Sequence, residues 1–153
     1  MSDDFFKIPK LEHLVSFWIH PEGRVPGTLF LREQSLHHIG EESPVELLNQ
    51  TEPFVVINRQ DLNELRFYSK ASIVRVEYQH TMPDNPDLDA INAEIHMMDG
   101  SLITGQIRGS FCPDRARLYD YLNKIEDHFV VLYQEQDQVT LINKKYVIYA
   151  KSI

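Results

Sequence analysis

The sequence of 153 residues predicts a mostly β protein with a minor helical part, built as two tandem repeats. Three observations carry this expectation. Residues 46–58 read ELLNQTEPFVVIN and residues 120–133 read DYLNKIEDHFVVLY: an acidic residue, an apolar one, Leu, Asn, a polar gap and then Phe-Val-Val. Landmarks recur in the same order at nearly constant offsets, with 77 residues from Gly23 to Gly100, 74 from Asn49 to Asn123, 75 from Phe54 to Phe129 and 74 from Lys70 to Lys144. Apolar residues alternate with polar ones along both halves, the period of half-buried strands. Self-similarity of this kind is the mark of an internal duplication. Each repeat is expected to be a bent five-stranded sheet with one short helix. The two are expected to pack about a pseudo-two-fold axis, since neither alone encloses much core. The expected boundaries are 11–78 for the first repeat, 79–90 for an acidic, Pro-containing linker and 91–153 for the second repeat.

The elements follow in order. VSFWIHPEGRVPGTLFL (residues 15–31) and INAEIHMMDGSLITGQI (residues 91–107) each alternate, turn at Glu-Gly or Asp-Gly, and alternate again through a second glycine, Gly27 or Gly105. This pattern predicts hairpins. Phe17 and Trp18 are adjacent in the first hairpin, so one of them faces the core. Ser43, Pro44 and Glu46 supply an N-cap, a first-turn proline and a capping-box acid for the first helix. Asp114 is placed to cap the second, RARLYDYLN, with Leu118, Tyr121 and Leu122 on one face. Asn49 and Asn123 are expected to close these helices in the left-handed conformation. RFYSKASIVRV (residues 66–76) and LINKKYVIYA (residues 141–150) supply the last strands, each with a lysine three residues before a β-branched residue. Between the repeats, QHTMPDNPDLDA reads as a connector because of its prolines and aspartates.

A hairpin of alternating apolar residues, a turn glycine, a glycine inside the second strand, then an Asn and a Val-rich strand resembles the first half of an Sm-like small barrel. AEIHMMDGSLITGQI is the stretch most similar to it, with FVVLY and YVIYA as later strands. The chain also resembles a bacterial family of duplicated Sm-like or SH3-like small β-barrel units. The resemblance implies a bent five-stranded sheet in each repeat and a site for single-stranded nucleic acid. The sequence departs from the Sm pattern where that site would stand. A helix-bearing insert replaces the turn between the second and third strands. Ser69-Lys70-Ala71 and Asn143-Lys144-Lys145 lack the glycine that follows the family's basic residue before the last strand.

Composition narrows the functional classes. The net charge is −8, with −4 in each half, so phosphate backbones and anionic membranes are repelled. The single cysteine, Cys112, excludes an intrachain disulfide. Neither a signal-peptide pattern nor an apolar run long enough for a membrane helix is present, and a cytoplasmic protein is expected. The seven histidines show no zinc-site spacing, and the adjacent His37 and His38 would point to opposite faces of a strand. The acids Asp84, Asp87, Asp89 and Glu94 lack the glycine and spacing of a calcium loop. Cys112, near Arg115 and Arg117, reads as a buried or incidental thiol rather than a nucleophile. No serine elbow, phosphate loop or distinguished carboxylate pair appears.

These readings point to a non-enzymatic interaction or regulatory module with no cofactor and no metal. It would bind a protein through strand edges or the loops before the last strands, and exposed edges also allow a homodimer. One alternative is a single-stranded nucleic-acid binder that uses Arg66, Lys70, Lys144 and Lys145, with aromatics such as Phe67, Tyr68, Tyr119 and Tyr146 for stacking. Another is a small-molecule sensor with a pocket between the repeats.

Overall fold

The computed structural model describes residues 10–80, 89–109 and 117–153. It is mostly β, with antiparallel strand pairing throughout and two short helices among the described residues. The chain divides into two compact units, Met1–Ile73 and Val74–Ile153.

The first unit holds β1 (Lys10–Ile19), β2 (Gly23–Arg32), helix α1 (Pro44–Leu48), β3 (Phe54–Arg59), β4 (Glu64–Ser69) and a single 3-10 turn (Lys70–Ser72). Its strands are ordered β1-β2-β3-β4. The hairpin β1–β2 is in register from Lys10↔Arg32 to Ile19↔Gly23. It closes through Gly23 at φ +88°, a conformation that L side chains rarely adopt. Phe17 is the buried member of the Phe17–Trp18 pair; Trp18 carries the Arg24 guanidinium over its ring at 5.6 Å. Phe17 joins Val15, Leu29, Leu48 and Ile57 in the core. The capping box forms in full: Ser43 accepts from the Glu46 N–H, and Glu46 accepts from the Ser43 N–H. Such a cap contributes about 1 kcal/mol.

The second unit holds β5 (Ile73–Gln79), β6 (Asp89–Met97), β7 (Leu102–Gly109), helix α2 (Arg117–Leu122), β8 (Phe129–Tyr133), β9 (Gln138–Asn143), a second 3-10 turn (Lys144–Tyr146) and β10 (Val147–Ser152). β5 begins at the boundary residue and pairs here with β9, from Arg75↔Ile142 to Gln79↔Gln138. The strand order is β10-β6-β7-β8-β9-β5. Gly100 closes the β6–β7 hairpin at the same φ of +88°. The core is built from Ile95, Met97, Ile107, Phe129, Leu132 and Leu141.

The structure changes two expectations. Asn49 ends α1, but at φ −91° and ψ 0°, outside the left-handed region. Its N–H donates to the carbonyls of Val45 and Leu47, so the last turn simply tightens and needs no left-handed residue. Asn123 is also absent from the positive-φ residues. Both its N–H and its Nδ2 donate to the Tyr119 carbonyl, at 3.1 and 2.8 Å, satisfying the helix end with the side chain instead. Of the expected linker, β5 takes Gln79 and β6 takes Asp89 and Ala90, while residues 81–88 lie outside the described residues, as do Cys112, Asp114 and Arg115.

Candidate functional site

The two repeated lysines have matching local roles. Lys70 Nζ donates to the Gln50 carbonyl at 3.0 Å, and Lys144 Nζ donates to the Lys124 carbonyl at 2.7 Å. Each acceptor stands one residue beyond the Asn that ends the helix, twenty residues before its lysine. A cation there satisfies a carbonyl at the helix end and opposes the negative end of the helix dipole. Burial lowers the pKa of Lys70, partly countered by Glu52. Burial also lowers that of Lys144, against the pull of Asp127 and Glu126.

Arg66 is committed as well. Its guanidinium reaches Glu64 at 2.9 Å and Glu22 at 3.9 Å, and donates to the Tyr68 hydroxyl at 3.3 Å. Lys145 is exposed, and its backbone N–H donates to Asn143 Oδ1, which caps the 3-10 turn. Arg66 and Lys70 belong to the first unit, Lys144 and Lys145 to the second. Phe67 stands exposed on β4, whereas Tyr68 is buried.

His38 Nε2 hydrogen-bonds Glu46, which also accepts from Ser35 Oγ at 2.6 Å. The Ile39 carbonyl, on His38 Nδ1, and Glu46 raise the histidine's pKa. Burial pushes Glu46 up, but hydrogen bonds from Ser35 and His38 more than offset it, so its pKa is lowered. Among the described residues, no three His, Cys, Asp or Glu side chains gather as a metal site would require, and no helix is long and apolar enough to cross a membrane.

Sequence reasoning missed two features and expected a third, exposed strand edges, without placing it. The first is an ion network around the buried Arg59 in the first unit. Arg59 donates to Asp61 at 2.7 Å, to Glu22 at 2.7 Å and to the Tyr68 hydroxyl at 3.0 Å, which hold its charge firmly on. The second is an open groove of about 780 Å³ inside the second unit, lined in part by Asn92, Gln106, Arg108, Tyr133, Gln134 and Gln138. The Arg108 guanidinium lies over the Tyr133 ring at 4.7 Å. Gln134 donates to the Thr104 carbonyl at 3.0 Å and accepts from Thr140 Oγ1 at 2.6 Å. The polar walls are therefore fixed by their own hydrogen bonds.

The third feature is a pair of open strand edges. Among the described residues, β4 pairs with β3 alone and β10 with β6 alone. An open edge leaves a row of backbone donors and acceptors able to take another strand. The 74-residue offset of the two lysines sets β4 beside β9 and β10 beside β5 for comparison. Phe67 is 63% exposed where Leu141 is 0%, and Leu65 is 41% where Val139 is 2%. Ile148 is 64% exposed where Val74 is 7%, and Tyr149 is 47% where Arg75 is 9%. The covered strands β9 and β5 bury positions that the uncovered ones expose. Turn chemistry and alternation locate these strands in the sequence, but only the strand order shows which of them lack a neighbour.

No protein-family model, curated protein or solved structure matches this chain.

Proposed function

We propose that the chain is a non-enzymatic interaction module made of two Sm-like, five-stranded repeats, which recruits a protein by adding a strand to its open edges. The observation that carries this reading is the set of large apolar residues left exposed on β4 and β10. Strand addition draws affinity from backbone hydrogen bonds and selectivity from alternate side chains. The repeats are supported by the matching lysine bonds and by the turn glycines at one φ. Register supports them too: Gly27 faces Val15, and Gly105 faces Ala93, each pair displaced by 78 residues. Tagged protein and a Leu65→Glu/Phe67→Glu variant, applied to lysate in parallel, test the reading. A stoichiometric protein partner retained by the wild type and lost by the edge variant is expected. Turnover that depends on one side chain, or a partner indifferent to both edges, overturns it.

The groove favours a second reading, a sensor of a small planar polar molecule. Tyr133 and Arg108 offer a stacking surface, and the amides of Asn92, Gln106 and Gln138 offer paired donors and acceptors. Thermal shift with a panel of nucleobases, repeated on Tyr133→Leu, tests it. A stabilisation that vanishes in the variant supports it, and no stabilisation by any base removes this ligand class. Nucleic-acid binding through Lys70 and Lys144 is the weakest of the three readings, since both ammonium groups already serve carbonyls of their own unit. It predicts binding to single-stranded RNA that falls steeply with salt.

A further inference from the structure

We infer that the groove of the second unit takes a planar heteroaromatic monocarboxylate, with Arg108 holding the carboxylate. This assignment, which rests on the sensor reading above, names the ligand's class. Asn92 on β6 pairs with Gln106 on β7, and Gln106 pairs on its other side with Tyr133 on β8, so the three stand in one row across the strands. Arg108 is two residues further along β7, on the same face as Gln106 because side chains alternate. Its guanidinium lies over the Tyr133 ring at 4.7 Å. Arg59, Arg66 and Arg75 hold carboxylates at 2.7, 2.9 and 3.1 Å. Arg108 holds none among the described residues, although Glu135 lines the same groove.

The direction of the hydrogen bonds in the row sets what a ligand must supply. A guanidinium can only donate, so Arg108 orients every amide beyond it. Its Nη2 donates to Gln106 Oε1 at 3.4 Å, and Gln106 Nε2 donates to Asn92 Oδ1 at 3.3 Å. Each amide oxygen is turned toward the donor before it, which leaves Asn92 Nδ2 as a further donor at the end of the row. Gln134 is oriented in the same way by an acceptor: its Nε2 donates to the Thr104 carbonyl, and its oxygen accepts from Gln138 Nε2 and Thr140 Oγ1. Where Arg108 and Asn92 stand, the groove is therefore rich in donors and short of acceptors. A carboxylate supplies acceptors in the planar fork that a guanidinium matches. A single negative charge fits best. Among the described lining residues Arg108 is the only cation, and the Glu135 carboxylate repels a phosphate or a second acid group. The volume of about 780 Å³ lies in the range of small-ligand sites.

Probes paired to differ in charge test the assignment: orotate against uracil, and nicotinate against nicotinamide. Binding is measured by calorimetry on the full chain and on two variants. Arg108→Gln removes the cation. Asn92→Asp keeps an oxygen for Gln106 but turns the donor at the end of the row into an anionic oxygen. Both residues are exposed, so the fold is expected to survive. The wild type is expected to bind the charged member of at least one pair about tenfold more tightly than its neutral twin. That preference should shrink as salt rises. It should vanish in Arg108→Gln and reverse in Asn92→Asp. Equal or neutral-favouring binding by the wild type overturns the inference and leaves the sensor reading standing, as does a preference that survives in Arg108→Gln. Failure of the wild type to bind any of these compounds overturns the two together.

Discussion

Arg59 and Gln134 occupy the same slot in the two units and treat it in opposite ways. Arg59 lies across from Gly27 where β2 meets β3. Gln134 follows Tyr133, whose partner Gln106 follows Gly105, so it lies opposite Gly105. Arg59 fills its slot with four hydrogen bonds, two to Asp61 and one each to Glu22 and Tyr68. Gln134 holds its slot with neutral bonds, and a groove remains beside it. The pairing of a strand glycine with the residue facing it thus carries a frame locked by charged bonds in one unit and a frame beside an open groove in the other. The glycines belong to the frame, and the residues facing them decide its use.

The largest test of that frame is a methyl group at the two glycines. A Cβ on Gly105 would sit 2.7 Å from the Tyr133 carbonyl oxygen and 2.8 Å from Leu132 Cγ. On Gly27 it would meet Ile57 Cγ2 at 2.6 Å and the Phe17 ring at 3.0 Å. Backbone yields less than side chain, so Gly105→Ala should cost about 3 kcal/mol and Gly27→Ala about 2 kcal/mol in urea unfolding. Equal costs below 0.5 kcal/mol, on the order of a surface substitution, would deny that the close approach shapes both units.

Next comes the occupant of the slot. Arg59→Met should lower stability by about 2 kcal/mol, because it strands Tyr68 and two half-exposed carboxylates. Gln134→Met should cost about 1 kcal/mol by leaving the buried Thr140 hydroxyl without its acceptor. The reverse order would show that the groove, not the ion network, is the more tightly built. Lys70→Met and Lys144→Met follow, at about 1 and about 0.5 kcal/mol. The more enclosed lysine bond should be the costlier to lose.

The smallest expected effect is one of pH. The pKa of His38 is raised above its ordinary 6.5, so its bond to Glu46 stabilises fully below 6.5 and fades as pH rises through the higher folded-state value. The pKa of Glu46 is lowered from 4.5, so its contribution is full above 4.5 and fades as pH falls through the lower value. The first unit should therefore gain a slight stability maximum between these limits. His38→Ala should remove its alkaline side, read as a flat urea midpoint from pH 6.5 upward. The partners of His38, Ile39 and Glu46, lie in the first unit, so the unfolding of the second unit should keep the same pH profile in the variant.

Much of the frame was legible before any coordinates. Gly23 and Gly100 mark tight turns because few other residues tolerate their φ, and Ser43-Pro44-Val45-Glu46 spells a helix start in local chemistry. The recurrence of Lys70 and Lys144 was visible, but its meaning was not. A lysine near aromatics reads as a nucleic-acid contact, and only the fold shows the carbonyl twenty residues back that each one serves. The Arg59 network was hidden for a related reason: Glu22 stands 37 residues away, and no periodicity links the two. The groove is lined by Gln and Asn, which carry no spacing signature, and the open edges exist only once strands have an order.

The placement of β5 also bears on how the protein is made. β5 pairs with a strand far along the chain: Val76 precedes its partner Leu141 by 65 residues. At ribosomal speeds that interval lasts roughly 3 to 13 seconds. Between the emergence of β5 and that of β9 from the ribosome, the β9-facing edge of β5 waits without its strand. Neighbouring nascent chains on one polysome would expose the same edge at the same stage, so slow translation in that interval is where premature association would begin.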